Sequence, residues 1–191
     1  MINFDAFVLK GLIFVTAGER SVACGSLKGR TKNNENMSYT KLLYHVVFCT
    51  KYRKNTIPEA HEKELYAYIM GIINNKKSKL YRIGGTENHI HLLFDMHPSF
   101  ALSVFMREVK EHSSKWLRQN PNFPNFEGWS ISFTAFTYSL SDKQTIINYI
   151  KNQKKHHKSI CFDDEYRQFL TENGVEIEEK YFLNSEESPA F

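Results

Sequence analysis

The chain has 191 residues, 41% of them hydrophobic and 14% aromatic. That is enough apolar material for one domain with a real core, and it argues against global disorder. Cys24, Cys49 and Cys161 are odd in number and widely spaced, which speaks against a disulfide framework or a cysteine zinc site and fits a reducing, cytoplasmic setting.

Charge is unevenly spread. Residues 37–161 hold 18 Lys and Arg against 9 Asp and Glu, whereas residues 162–191 hold 2 against 9. A basic body with an acidic tail suits a polyanionic partner, nucleic acid foremost; a merely solubilising surface carries the same signature. Near the start, the apolar stretch Phe7 to Ala17 is interrupted by Lys10 and is too short to span a bilayer. It also lacks the basic flank of a secretory signal, so no membrane partner is expected. The polar run LKGRTKNNEN then leads to Met37. Residues 1–36 read as an N-terminal extension outside the natural domain, residues 37–161 as the folded domain, and residues 162–191 as an acidic C-terminal tail.

From Met37 onward the elements follow in order. The β-branched and aromatic run KLLYHVVFCT (41–50) predicts a strand. Pro58 and Glu59 open a helix to about residue 75, with Leu65, Ile69 and Ile72/Ile73 at helical spacing. SKLYRIGGTE (78–87) and NHIHLLFDM (88–96) read as two strands joined by a short turn. Residues 98–120 form an amphipathic helix with Ser99 as its cap and Pro121 as its stop. SISFTAFTYSL (130–140) is the fourth strand. Residues 141–158 are the last well-marked helix, with Ser141 as N-cap and Gln144 as its capping-box partner. The remaining residues leave room for a short helix before the acidic end of the chain. The order β-α-β-β-α-β predicts an α+β, ferredoxin-like antiparallel sheet with helices on one face, plus a C-terminal helix carrying Tyr149. That fold hosts many functions, so the side chains have to choose among them.

His89 and His91 stand two apart on a predicted strand and so share one face, while Ile90, Leu92 and Phe94 take the other as core. Such a pair is often no more than a half-buried, hydrogen-bonded one. The final helix adds Tyr149 and Gln153 at i and i+4, on neighbouring positions at the edge of the Ile146/Ile147/Ile150 stripe that should dock on the sheet. Two neutral imidazoles and an amide oxygen can hold a divalent cation by three points while phosphate oxygens take the open positions. A tyrosine held nearby can then attack the phosphate, provided that a cation or base lowers its pKa of about 10. Magnesium prefers oxygen ligands and imidazole suits softer ions, so manganese should substitute for magnesium.

Three stretches, YHVVFCTKYRK (44–54), NHIHLLF (88–94) and NYIKNQKKHH (148–157), stand in the order and spacing of a known family; FDDEYRQFL (162–170) matches its tail. The chain resembles the single-tyrosine HUH transposases of small bacterial insertion sequences, relatives of the REP-associated tyrosine transposases, over about residues 38–184. The resemblance implies a DNA strand transferase that cuts and rejoins single-stranded DNA with hairpin ends, through a 5′-phosphotyrosine link and a free 3′-hydroxyl. His89, His91 and Gln153 would be the ligands of Mg²⁺, or Mn²⁺ in its place, and Tyr149 the nucleophile. It also implies a homodimer, typically with the tyrosine helix of one subunit completing the site of the other. The chain departs from the pattern at Asn88, where an Asp is usual, and at Glu111 and His112, where a Gly-Arg-like pair is expected.

For the DNA itself, Lys51, Tyr52, Arg53 and Lys54 combine cations with a stacking ring, a mix suited to single strands. Arg107, Lys110, Lys115 and Arg118 on the second long helix suit a hairpin stem, although a solvated face reads the same. Lys151, Lys154 and Lys155 lie near the tyrosine, where a scissile phosphate must come. His156 and His157 read either as exposed helix-end groups or as approaching the metal or DNA, and His45 as structural or DNA-facing. The competing class is a non-catalytic or domesticated nucleic-acid-binding module, which the basic body suits but which lacks a clear aromatic strand for stacking bases. A histidine hydrolase with three alternating histidines is disfavoured by Leu93 in the third position.

Overall fold

The computed structural model describes residues 39–157 and 160–178; the N-terminal extension and the far end of the acidic tail lie outside them. Alternation in the first strand already sets up two packed faces. In β1 (Leu43–Cys49) Val46 and Phe48 point one way, and Leu43, His45 and Val47 the other. β2 (Lys79–Gly85), β3 (His89–Asp95) and β4 (Thr134–Thr137) complete a sheet of order β2-β3-β1-β4. All its neighbours are antiparallel, with Val47 opposite His91 and Cys49 opposite His89. This is the α+β, ferredoxin-like arrangement that the element order predicts.

One face packs on α1 (Glu62–Asn75) and α2 (Leu102–Gln119). Leu65, Ile69 and Ile73 from α1 and Phe105, Met106, Val109 and Leu117 from α2 meet Val46, Phe48, Ile90, Leu92 and Phe94 of the sheet. Each such side chain, fully buried, contributes about 1.5–3 kcal/mol before entropy is subtracted. The second face is covered as well. Ile150 of α3 (Lys143–Lys151) packs on Leu43 and Leu93, with Ile146, Ile147 and Tyr149 around it. Beyond the short α4 (Gln153–His156), α5 (Phe162–Glu172) lays Phe162 and Phe169 against Val47. The segment read as an acidic tail thus begins with a helix docked on the sheet.

Four local expectations change. Ser99 does not cap α2, whose N-cap is Ala101 with no side-chain bond; the His97–Phe100 turn, closed by Phe100 N–H on the His97 carbonyl at 3.2 Å, uses that stretch instead. Ser141 does not cap α3, whose N-cap is Asp142 without a side-chain cap bond. Its carboxylate is turned back to accept from Ser139 Oγ at 2.6 Å, and Gln144 donates to Asn148 rather than closing a capping box. The single helix expected over 141–158 breaks at Asn152, which ends α3 and begins α4. The fourth strand is four residues long, because residues 121–133 form a loop anchored by Trp129, whose Nε1–H donates to Ser113 Oγ at 2.9 Å. Among the described residues no helix is long and apolar enough to cross a membrane.

The glycine pair before His89 has separate tasks. A Cβ on Gly84 would lie 2.9 Å from both Cγ2 and the carbonyl oxygen of Ile150, so a missing side chain lets α3 approach β2. A Cβ on Gly85 would lie 2.1 Å from the His89 carbonyl oxygen. Neither space admits an alanine without backbone movement.

Candidate active site

His89 and His91 lie on β3, the strand between β2 and β1, and both are buried with ring centroids 5.0 Å apart. Nδ1 of His89 is 2.8 Å from Asn88 Oδ1 and 3.0 Å from Thr86 Oγ1. An amide oxygen only accepts, so Nδ1 carries the proton and Nε2 keeps its lone pair. Asn88 thus supplies the oxygen expected of an Asp. Nδ1 of His91 is 3.0 Å from Nε2 of His45, a fully buried residue on β1. His45 is therefore structural, packed behind His91. Burial pushes His45 and His89 down to about 3 and His91 well below its usual value. All three are neutral near pH 7, the form in which imidazole binds metals.

The other two sequence candidates arrive from the helices opposite. The Tyr149 ring is 5.8 Å from that of His91 and 6.0 Å from that of His45. Gln153 is 1% exposed, and its Nε2–H donates at 2.8 Å to Oε1 of Glu165. The Tyr149 hydroxyl donates to the same oxygen. Burial, then the Glu165 charge and this bond, push the phenol well above its usual value, so Tyr149 is neutral here. In this structure Tyr149 and Gln153 lie beside the histidines of their own chain.

Glu165 was missed in the sequence. It is 4% exposed. Burial alone would raise its carboxyl, but the contact with His157 and the bonds from Tyr149 and Gln153 outweigh that and hold it at about 2. The available signal was its spacing: Phe162, Glu165 and Phe169 fall on one helical face, which places a carboxylate inside an apolar stripe. Both histidines whose role was open also face it. His156 Nε2 is 3.8 Å from Oε1, and His157 Nε2 is 2.6 Å from Oε2.

Several buried acceptors here have no hydrogen-bond partner: Nε2 of His89, Nε2 of His91, Oε1 of Gln153 and Oε2 of Glu165. One ligand atom each from His89, His91 and Glu165 lie within 4.8 Å of one another. Two neutral imidazoles, an amide oxygen and a carboxylate form a donor set that fits a divalent cation, and stranding them without one is costly. Beside the site a cleft of about 260 Å³ opens between Thr86–Asn88, Asn55, His157 and Phe162.

The candidate DNA contacts divide between the two faces. Tyr52 is 37% exposed in a left-handed backbone conformation (φ 57°), with Lys51 and Lys54 over its ring. Lys54 also pairs with Glu127 at 2.6 Å, and Arg53 pairs with Asp163 of α5. Lys151, Lys154 and Lys155 are exposed near Tyr149, with Lys154 paired to Glu59 and Glu62. Arg107, Lys115 and Arg118 lie exposed on α2, across the sheet from His89 and His91. Arg118 donates to the Glu127 carbonyl, and Lys110 to those of Ile131 and Ser132. Burial lowers Lys110 to about 8. The structure does not bring these four to the histidines.

Comparison with known proteins bears on the same segment. Residues 38–153 match the family described as "Transposase IS200 like". The transposases for insertion sequence element IS200 of Salmonella typhimurium and Salmonella typhi are each 25% identical over 120 residues, covering 60% of this chain and 78% of theirs. A REP-associated tyrosine transposase, solved bound to a REP hairpin, shares the fold with a TM-score of 0.50 at 14% identity, over 68% of this chain and 76% of its own. A transposase structure from Deinococcus radiodurans aligns at 24% identity and a TM-score of 0.46, over 67% and 98%. The family match spans the sheet, both histidines and Gln153, and this chain belongs to the IS200-like transposase family.

Proposed function

We propose that the chain is a metal-dependent transposase of the single-tyrosine HUH type. It would cleave and rejoin single-stranded DNA at the hairpin ends of an insertion sequence through a 5′-phosphotyrosine intermediate. One observation carries this reading: the Tyr149 hydroxyl and Gln153 Nε2–H both reach Glu165, which has an oxygen within 4.8 Å of ligand atoms of His89 and His91, and the Nε2 atoms of those histidines have no partner. His89, His91 and Gln153 would hold Mg²⁺ or Mn²⁺, which when bound withdraws charge from the phosphate oxygens.

The protein's own groups do the rest. Asn88 and His45 hold the two imidazoles with Nε2 facing the site. Glu165 orients the Tyr149 oxygen and marks the direction in which its proton leaves. Attack forms the bond from the tyrosine oxygen to phosphorus and breaks the bond from phosphorus to the 3′ oxygen. The latter takes up a proton and departs as a 3′-hydroxyl; rejoining reverses these changes. Lys51, Tyr52, Lys151 and Lys155 serve as phosphate and base contacts on approach. We take the working unit to be a homodimer.

A module that stacks bases on an open sheet is not what the described residues form, because helices pack on both faces of the sheet. The deciding experiment is a denaturing gel with labelled single-stranded DNA from the flanks of the coding sequence, run with Mg²⁺, Mn²⁺ or EDTA. A metal-dependent, heat-stable adduct that is absent in Y149F is expected. An adduct that survives the substitution removes Tyr149 from its role, and none on any strand overturns the transferase.

A further inference from the structure

We propose that Glu165 is a fourth protein ligand of the cation, so that the acidic C-terminal segment supplies a hard, charged oxygen to a site otherwise made of two imidazoles and an amide. The proposal rests on the reading of this site as a metal centre and adds a residue outside the family match, which ends at residue 153. Its two carboxylate oxygens are differently employed. Oε1 accepts from the Tyr149 hydroxyl and from Gln153 Nε2–H. Oε2 is buried, accepts no hydrogen bond, and belongs to a residue with an oxygen within 4.8 Å of ligand atoms of both His89 and His91.

His157 stands beside the same carboxylate, its Nδ1 3.1 Å from the Ile160 carbonyl oxygen and its Nε2 2.6 Å from Oε2. The same carboxylate resolves a chemical mismatch: imidazoles and an amide alone favour softer ions, whereas Mg²⁺ and Mn²⁺ favour carboxylate. Because Glu165 also holds Tyr149, loading of the metal and placement of the nucleophile pass through one residue.

The test reads binding rather than cleavage. Mn²⁺, Mg²⁺ and Co²⁺ are titrated into the full chain without DNA, following free Mn²⁺ by its spin-resonance signal and the others by competition. E165Q should lose Mg²⁺ and Mn²⁺ affinity by at least about tenfold while losing Co²⁺ affinity much less. Equal losses for all three ions would reduce Glu165 to an electrostatic neighbour and overturn the proposal, as would unchanged affinity. If E165Q does not fold, E165D keeps the charge but withdraws it by one methylene, and the same selective loss is required of it. The H89A/H91A double variant separates the two readings. If it binds as wild type does, the metal reading itself fails; if it loses binding while the Glu165 variants do not, only the fourth-ligand proposal falls.

Discussion

Nε2 of His45 lies 3.0 Å from Nδ1 of His91, the two rings meeting across the β1–β3 ladder with centroids 5.3 Å apart. For His91 to present a lone pair at Nε2, its Nδ1 must carry the proton and donate to His45. Replacing His45 with Phe keeps an aromatic ring at this buried position and removes that acceptor. Metal affinity should fall by about 10–100-fold, as for other groups that orient a liganding histidine. A Mn²⁺ titration checks this, with near-UV circular dichroism to show an intact core.

Tyr149→Phe keeps the ring beside His45 and His91 and deletes only the hydroxyl that donates to Glu165. Single-stranded DNA should still bind with unchanged affinity, while covalent adduct falls below detection. Filter binding and a denaturing gel on the same preparation read the two quantities.

Gly84→Ala places a methyl 2.9 Å from the Ile150 carbonyl oxygen, which cannot rotate away. Overpacking of this kind costs about 1–3 kcal/mol. We expect a lower Tm and a weaker adduct band, since α3 must lift and carry Tyr149 with it. Truncating Ile150 should not rescue the variant, because its backbone oxygen remains.

The metal-free protein should lose stability in mild acid. His45 and His89 are held near 3 and His91 well below its usual 6.5, all through burial. Between those values the unfolded chain binds protons that the folded chain does not, so stability is full above about pH 6.5 and falls as pH drops. Glu165, held at about 2, adds a loss in the same direction below its ordinary 4.5. Thermal melting from pH 7.5 to 4 in chelator checks the sign, and H89A/H91A should flatten the slope.

The placement of the cations gives a test of the DNA path. Lys151 and Lys155 are on the tyrosine side, Arg107 and Lys115 across the sheet. K151A and K155A should each weaken single-strand binding and reduce the salt slope by about 0.7. R107A and K115A should leave adduct formation on a short, unpaired cleavage strand unchanged. Binding measured against salt concentration separates the two pairs.

The sequence by itself determined the element order, the ferredoxin-like sheet and the face shared by His89 and His91, because strand alternation and helical spacing are local properties carried by neighbouring residues. It also singled out Tyr149 and Gln153, which are close in the chain whether or not Asn152 breaks the helix. Only the tertiary structure decided what stands behind and across from them. The His45–His91 bond joins residues 46 apart, and Glu165 reaches Tyr149 from a segment whose charge suggested a solvated tail. Helix starts were illegible for a related reason: Ser99 and Ser141 have the right chemistry, but turns at His97 and Ser139 claim the neighbouring groups first. Whether a carboxylate is surface or site depends on what packs over it, and here Phe162 and Phe169 seat its helix on the sheet so that Glu165 faces the buried histidines.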